Sequence, residues 1–144
     1  LASAPSLVER FPGILIDAEI SRALRVGGFE DIAALDAAGN LRQVVVVALG
    51  TNGYYGNGKL DELLGQLAGH DVILVTAHGD REWIAPNNQD LRAAAARHPN
   101  VHIADWDAAI ASRPDALGPD GIHPNSAGGP IYTDCIAVAL AQTR

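Results

Sequence analysis

Two short stretches of this chain hold residue types suited to proton transfer and charge stabilisation. The first is Asp120-Gly121-Ile122-His123-Pro124. An aspartate three residues before a histidine can fold back within one turn and accept the imidazole Nδ1–H. That fixes the tautomer and turns Nε2 outward as a general base. Gly121 permits the tight turn, and Pro124 pins the chain ahead of the next helix. The second stretch is Gly50-Thr51-Asn52. A side-chain amide at the carboxyl end of a strand can donate to a developing oxyanion, and Gly50 allows close approach of backbone or substrate. Each stretch also reads as an ordinary turn, where Gly, Asn and Asp are favoured.

The elements that must position these groups follow from periodicity. Apolar spacing predicts a helix over 1–11, stopped by Pro12-Gly13, and a short apolar run predicts a strand over 14–18. A mostly helical stretch over 20–38 is interrupted at Gly27-Gly28 and closed by Gly39-Asn40. The run 44–49 is β-branched without polar alternation, which predicts a strand buried on both faces. A glycine-rich loop over 50–58 leads to an amphipathic helix over 59–68. A strand over 72–77, a polar loop and a helix over 88–97 follow, with Asn87 and Asn88 read as its caps. A strand over 101–106, a short helix over 107–112, a loop over 113–124 and a final helix from 125 complete the chain. Four strands alternating with helices predict a parallel sheet covered on both faces, with ligands at the strands' carboxyl ends. That rule selects residues 20–22, 50–58, 78–83 and the loop before the last helix.

The length of 144 residues is that of a single domain, spanning 1–144. Ten Lys+Arg against 17 Asp+Glu give a formal charge of −7, which excludes a nucleic-acid phosphate partner. One cysteine, Cys135, excludes a disulfide framework and a multi-cysteine zinc site. It is read as a small core residue of the last helix. His70, His98 and His102 have no partners nearby in sequence, so no metal site and no cofactor is expected. No window approaches 18 consecutive apolar residues. The chain has no methionine and no signal peptide and opens directly into a helical pattern, so its natural N-terminus is expected to lie further upstream.

The order of these parts, Gly-x-Asn after a central strand and Asp-x-x-His before the last helix, resembles the SGNH (GDSL-like) hydrolase superfamily. The text matches one branch more closely, through Ala4-Pro5-Ser6-Leu7, Phe11-Pro12-Gly13, Asp17-Ala18-Glu19 with Arg22, and Val46 to Gly53. Arg81-Glu82-Trp83, Asn88 with Leu91, Val101 to Trp106 and Asp120 to Pro124 extend the match over essentially the whole chain. That branch is the SGNH domain fused to the C-terminus of multi-pass membrane acyltransferases, whose best-known members O-acetylate peptidoglycan.

The resemblance implies a three-layer α/β/α fold with a flavodoxin-like parallel sheet. It assigns His123 as base, Asp120 as its orienting partner, and Asn52 with Gly50 and the Ser21 backbone N–H as an oxyanion hole. Tyr54, Arg81 and Trp83 are read as substrate-facing, although Tyr54 and Tyr55 fit a flap over a sugar and an exposed loop equally well. Trp83 fits a cleft wall and a surface position equally well. The family's Gly-Asp-Ser strand is not in this sequence. The nucleophilic serine is therefore expected before Leu1, and the first strand of the sheet with it, leaving a gap beside the strand at 44–49. Ser3 and Ser6 fall past the nucleophile's position, and Ser21 stands where the family places a glycine. The implied partners are an acyl donor, a glycan acceptor and an upstream membrane domain, at an extracytoplasmic location. The alternatives are a free-standing esterase or deacetylase of the same fold and a catalytically dead glycan-binding module.

Overall fold

The computed structural model describes residues 2–56 and 58–143. Among these residues six helices and three strands succeed one another as α1 (Ala4–Arg10), α2 (Gly28–Ala37), β1 (Val44–Val47), α3 (Lys59–Gln66), β2 (Asp71–Val75), α4 (Ile84–Arg97), β3 (Val101–Ala104), α5 (Trp106–Ile110) and α6 (Gly128–Leu140). A 3₁₀ turn, Pro114–Ala116, separates the last two helices. The strands form a parallel sheet in the order β1-β2-β3, with Val45 beside Val72 and Val72 beside Val101.

Parallel neighbours need a crossover, and α3 and α4 supply the two. Leu60, Leu63 and Leu64 form the buried stripe of α3. They pack with Leu24, Leu67, Val72, Leu74 and Leu91 on one face of the sheet. On the other face Ile73, Val75 and Ala104 pack with Trp106, Ile110 and Ile136, and α1 joins through Leu7 and Phe11. Each fully buried leucine or isoleucine contributes about 1.5–3 kcal/mol of transfer free energy. These two cores hold the sheet rigid, and the rigid sheet fixes the loops at its carboxyl end.

Three sequence expectations are corrected by this arrangement. The run 14–18 forms no strand, so the described residues hold three strands rather than four. Leu15 is exposed, and among the described residues nothing lies alongside to accept a ladder. A strand exists only through its pairing, so β propensity without a neighbour leaves irregular backbone. The valine run of β1 is likewise not buried on both faces. It forms the sheet edge, and Val46 is 37% exposed. The helix expected over 20–38 begins only at Gly28, because Ser21 is left-handed (φ 62°) and Ala23 bridges Val26 and Gly27. Among the described residues no helix is long and apolar enough to cross a membrane.

Candidate active site

The loop before α6 is built around Asp120. Its Oδ1 accepts the backbone N–H groups of Ile122 and His123, both at 3.0 Å, and its Oδ2 accepts His123 Nδ1–H at 2.6 Å. The His123 hydrogen bond, followed by those two backbone N–H groups, holds the Asp120 carboxyl well below the usual carboxylate range. An ionised carboxylate only accepts, so the proton sits on Nδ1 and the Nε2 lone pair points away. The imidazole is 61% exposed.

The loop itself is fastened at both ends. Gly118 N–H donates to the His123 carbonyl (2.7 Å). Asn125 donates Nδ2–H to the Asp115 and Leu117 carbonyls (2.8 and 2.9 Å), and its Oδ1 accepts from Ala127 and Gly128 at the start of α6. A Cβ at Gly128 would strike the Ala116 carbonyl, so the glycine is what lets α6 dock on this turn.

Asn52 follows β1. Its amide donates one N–H to the Arg22 carbonyl at 2.9 Å, which orients the group and leaves the second N–H for a ligand. Arg22 is itself clamped, by Asp17 at 2.7 Å, Asp31 at 2.8 Å and Glu19 at 3.4 Å. This clamp fixes the turn that carries Ser21, the single non-glycine residue with positive φ among the described residues. Such a conformation costs of order 1 kcal/mol and persists only where the surroundings over-determine it. Asn52 is thus tied, through the Arg22 carbonyl, to the turn that carries Ser21.

Gly50 is buried, and a Cβ there would lie 2.9 Å from Tyr55 Oη and 3.2 Å from Ala77 Cβ. Its lack of a side chain makes room for Tyr55. The two tyrosines do not act as a pair. Tyr55 is only 2% exposed, and burial pushes its phenol pKa up, whereas Tyr54 stands out at the surface. Tyr54 lies edge-on to Trp83 (6.3 Å between centroids, 65°), and Trp83 donates its indole N–H to the Thr51 carbonyl at 3.0 Å. Arg81 is exposed and donates to the Asp80 carbonyl.

Asn52, Tyr54 and Trp83 therefore lie on one loop-centred group, and Asn52 ties it to the turn that carries Ser21. Asp120 and His123 form a second, linked to the loop after β2 where Gly79 abuts Ile122. A Cβ at Gly79 would come 2.7 Å from Ile122 Cγ1. No hydrogen bond joins His123 to Asn52 among the described residues.

Sequence reasoning missed two features. Asn87 and Asn88 do not cap a helix, because α4 starts earlier, at Ile84, and both amides are buried inside it. Asn87 accepts from Tyr55 N–H and donates to the Gly50 and Gly53 carbonyls, while Asn88 accepts from and donates to Ala77. An apolar stripe from Ile84 through Leu91 was the available signal, since it places position 87 on the buried side. The second feature is His78, whose Nδ1 meets Asp107 Oδ1 at 2.7 Å across 29 residues of sequence. Among the described residues no group of three or more His, Cys, Asp or Glu gathers to hold a metal.

No protein-family model matches the chain. It is 39% identical over 98 residues to the O-acetyltransferase OatA of Staphylococcus aureus, an alignment covering 68% of this chain and 16% of that protein. It superposes on the C-terminal catalytic domain of the Streptococcus pneumoniae peptidoglycan O-acetyltransferase OatA, solved with a methylsulfonyl adduct. There the TM-score is 0.86 and the identity 29%, over 97% of this chain and 86% of that one. A member of the lipolytic G-D-S-L family from Veillonella parvula shares the fold, with a TM-score of 0.76 and 15% identity over 97% and 87% of the two chains. The chain spans 16–21% of the length of such curated relatives. Fold and sequence therefore agree: the chain has the SGNH (GDSL-like) hydrolase fold and resembles, within it, the C-terminal domain of the peptidoglycan O-acetyltransferases.

Proposed function

We propose that this domain transfers an O-linked acetyl group to a hydroxyl of peptidoglycan through a covalent acyl-enzyme. The observation that carries the reading is the 2.6 Å Nδ1–H bond from His123 to an ionised Asp120 that is held by two further backbone donors. It supplies an oriented base with an open Nε2. The similarity to OatA supplies the substrate class.

In this reading a serine preceding Leu1 attacks the donor's carbonyl carbon and gives its proton to His123 Nε2. Asp120 holds the resulting imidazolium. The free N–H of Asn52 and the Ser21 backbone N–H donate to the oxyanion, each such donor being worth about 2.7–4 kcal/mol. The donor's leaving oxygen departs with the proton from His123. The acceptor hydroxyl then attacks the acyl-enzyme, passing its proton to His123 and, on collapse, back to serine. The domain works outside the cytoplasm, tethered by a membrane region of the same protein, and the serine and its strand lie between that region and Leu1.

The test treats the full-length protein with a sulfonyl fluoride, maps the adduct and follows aryl acetate turnover. An adduct on a serine before Leu1, with turnover lost in parallel, is expected. An adduct on Ser3, Ser6 or Ser21, or unimpeded turnover after labelling, overturns the assignment.

A further inference from the structure

Asn52 and His123 stand on separate loops with no direct bond between them, so a third element must set their distance. Helix α4 reaches both. On one side, Trp83 at its N-cap donates to the Thr51 carbonyl at 3.0 Å. Asn87 Nδ2 donates to the Gly50 and Gly53 carbonyls at 3.2 and 2.9 Å, and its Oδ1 accepts from Tyr55 N–H at 3.1 Å. Asn52 lies inside this set of anchors. On the other side, Asn88 Oδ1 accepts from Ala77 N–H at 2.9 Å and its Nδ2 donates to the Ala77 carbonyl at 2.8 Å. Two residues past Ala77, Gly79 abuts Ile122, the neighbour of His123. Ile84 of α4 closes on the same spot, its Cδ1 3.4 Å from where a Gly79 Cβ would stand.

The residue type is specific to this task. Asn87 and Asn88 are 1% and 2% exposed. A buried amide is costly unless its bonds are made, so apolar residues would seat α4 on the sheet more cheaply. Only an amide both donates and accepts. Asn87 uses both Nδ2 hydrogens and its oxygen on backbone of the loop after β1, and Asn88 closes a reciprocal pair with the loop after β2. Adjacent helix positions point about 100° apart, at 3.6 residues per turn. Two successive asparagines therefore reach two neighbouring strand ends.

Resting on the function proposed above, we infer that Asn87 and Asn88 are positioning residues that set the separation of the oxyanion donor Asn52 from the base His123. Asn87 acts through the loop after β1. Asn88 acts through Ala77, Gly79 and Ile122. Neither touches the reacting atoms.

The experiment measures aryl acetate turnover by full-length protein, well below the melting range. Asn87→Ser and Asn88→Ser are each expected to lower kcat about 10- to 100-fold, since a misplacement near 1 Å costs about that much. KM should stay within about twofold, and the pH midpoint of kcat/KM should not move, because Asp120 orients His123 from within its own turn. Asn100→Ser is the control, since Asn100 holds the His70 carbonyl at 2.7 Å at the opposite end of the sheet. It should lose stability and keep kcat. Wild-type kcat in folded Asn87→Ser or Asn88→Ser, or an equal loss in Asn100→Ser, overturns the inference. If the serine variants do not fold, Ile122→Ala decides: it removes the packing on Gly79, a loss of kcat of about tenfold is expected, and an unchanged kcat overturns the linkage. If wild type turns over no aryl acetate, the proposed function fails first. Crystal structures of wild type and Ile122→Ala then read the positioning alone. A change of about 0.5 Å or more in the Asn52–His123 Cα separation is expected, and an unchanged separation overturns it.

Discussion

Among the described residues two histidine–aspartate pairs close to nearly the same distance in different surroundings. His123 Nδ1 meets Asp120 at 2.6 Å, and His78 Nδ1 meets Asp107 at 2.7 Å. The first pair is confined to one loop and its imidazole is 61% exposed, while the second joins the end of β2 to α5 with an imidazole 26% exposed. Asp107 continues inward: its N–H donates to Thr76 Oγ1, Thr76 donates to Asp105, and Asp105 takes both oxygens to Arg92. Among the described residues Asp120 bonds only within its own turn. A dyad distance thus identifies an oriented imidazole, and the company it keeps decides whether that imidazole is free to react or serves as a strut.

The comparison breaks most decisively at His123. In full-length protein His123→Ala should end aryl acetate turnover, and Asp120→Asn should lower kcat by about 10⁴, as expected when the orienting acceptor is lost. Asp107→Asn should change it by less than about threefold. A kinetic collapse in Asp107→Asn would make the second pair the reactive one.

Asn52→Ala should lower kcat by about 10²–10³ through loss of one oxyanion donor, with thermal stability near wild type because the side chain is exposed. A KM effect alone would move Asn52 from transition-state to ground-state contact.

His78→Ala should lower unfolding free energy by about 1 kcal/mol, read by denaturant titration, with turnover retained below the melting range. The weakest effect concerns pH. Asp120 is held below its unfolded value of about 3.9, so its contribution to stability is present above about pH 4 and fades as the pH falls further. The melting-temperature gap between wild type and Asp120→Asn should therefore narrow below pH 4. A gap that widens would reverse the sign.

The first pair was legible because a three-residue spacing is a local instruction. The second was not, because 29 residues separate its partners and only the β2–β3 register brings them together. Asn87 and Asn88 looked like caps because short amides suit helix ends, and only the fold shows them as buried ligands for backbone. Tyr54 and Tyr55 are adjacent and alike in sequence, and a single reversal of side decides that one is core and the other surface. The run 14–18 has strand composition but acquires its conformation from neighbours that composition does not describe.

Asn87 has a consequence for how the loop carrying Asn52 behaves in time. One buried amide touches the chain at Gly50, Gly53 and Tyr55, so the segment carrying Asn52 is clasped to α4 at three points. The Tyr55 amide hydrogen should then exchange with solvent only when α4 itself opens, far more slowly than its place in a glycine-rich loop suggests. The loop that carries Asn52 thus takes its place from a helix folded beside it, and the Arg22 carbonyl only turns the amide within that place.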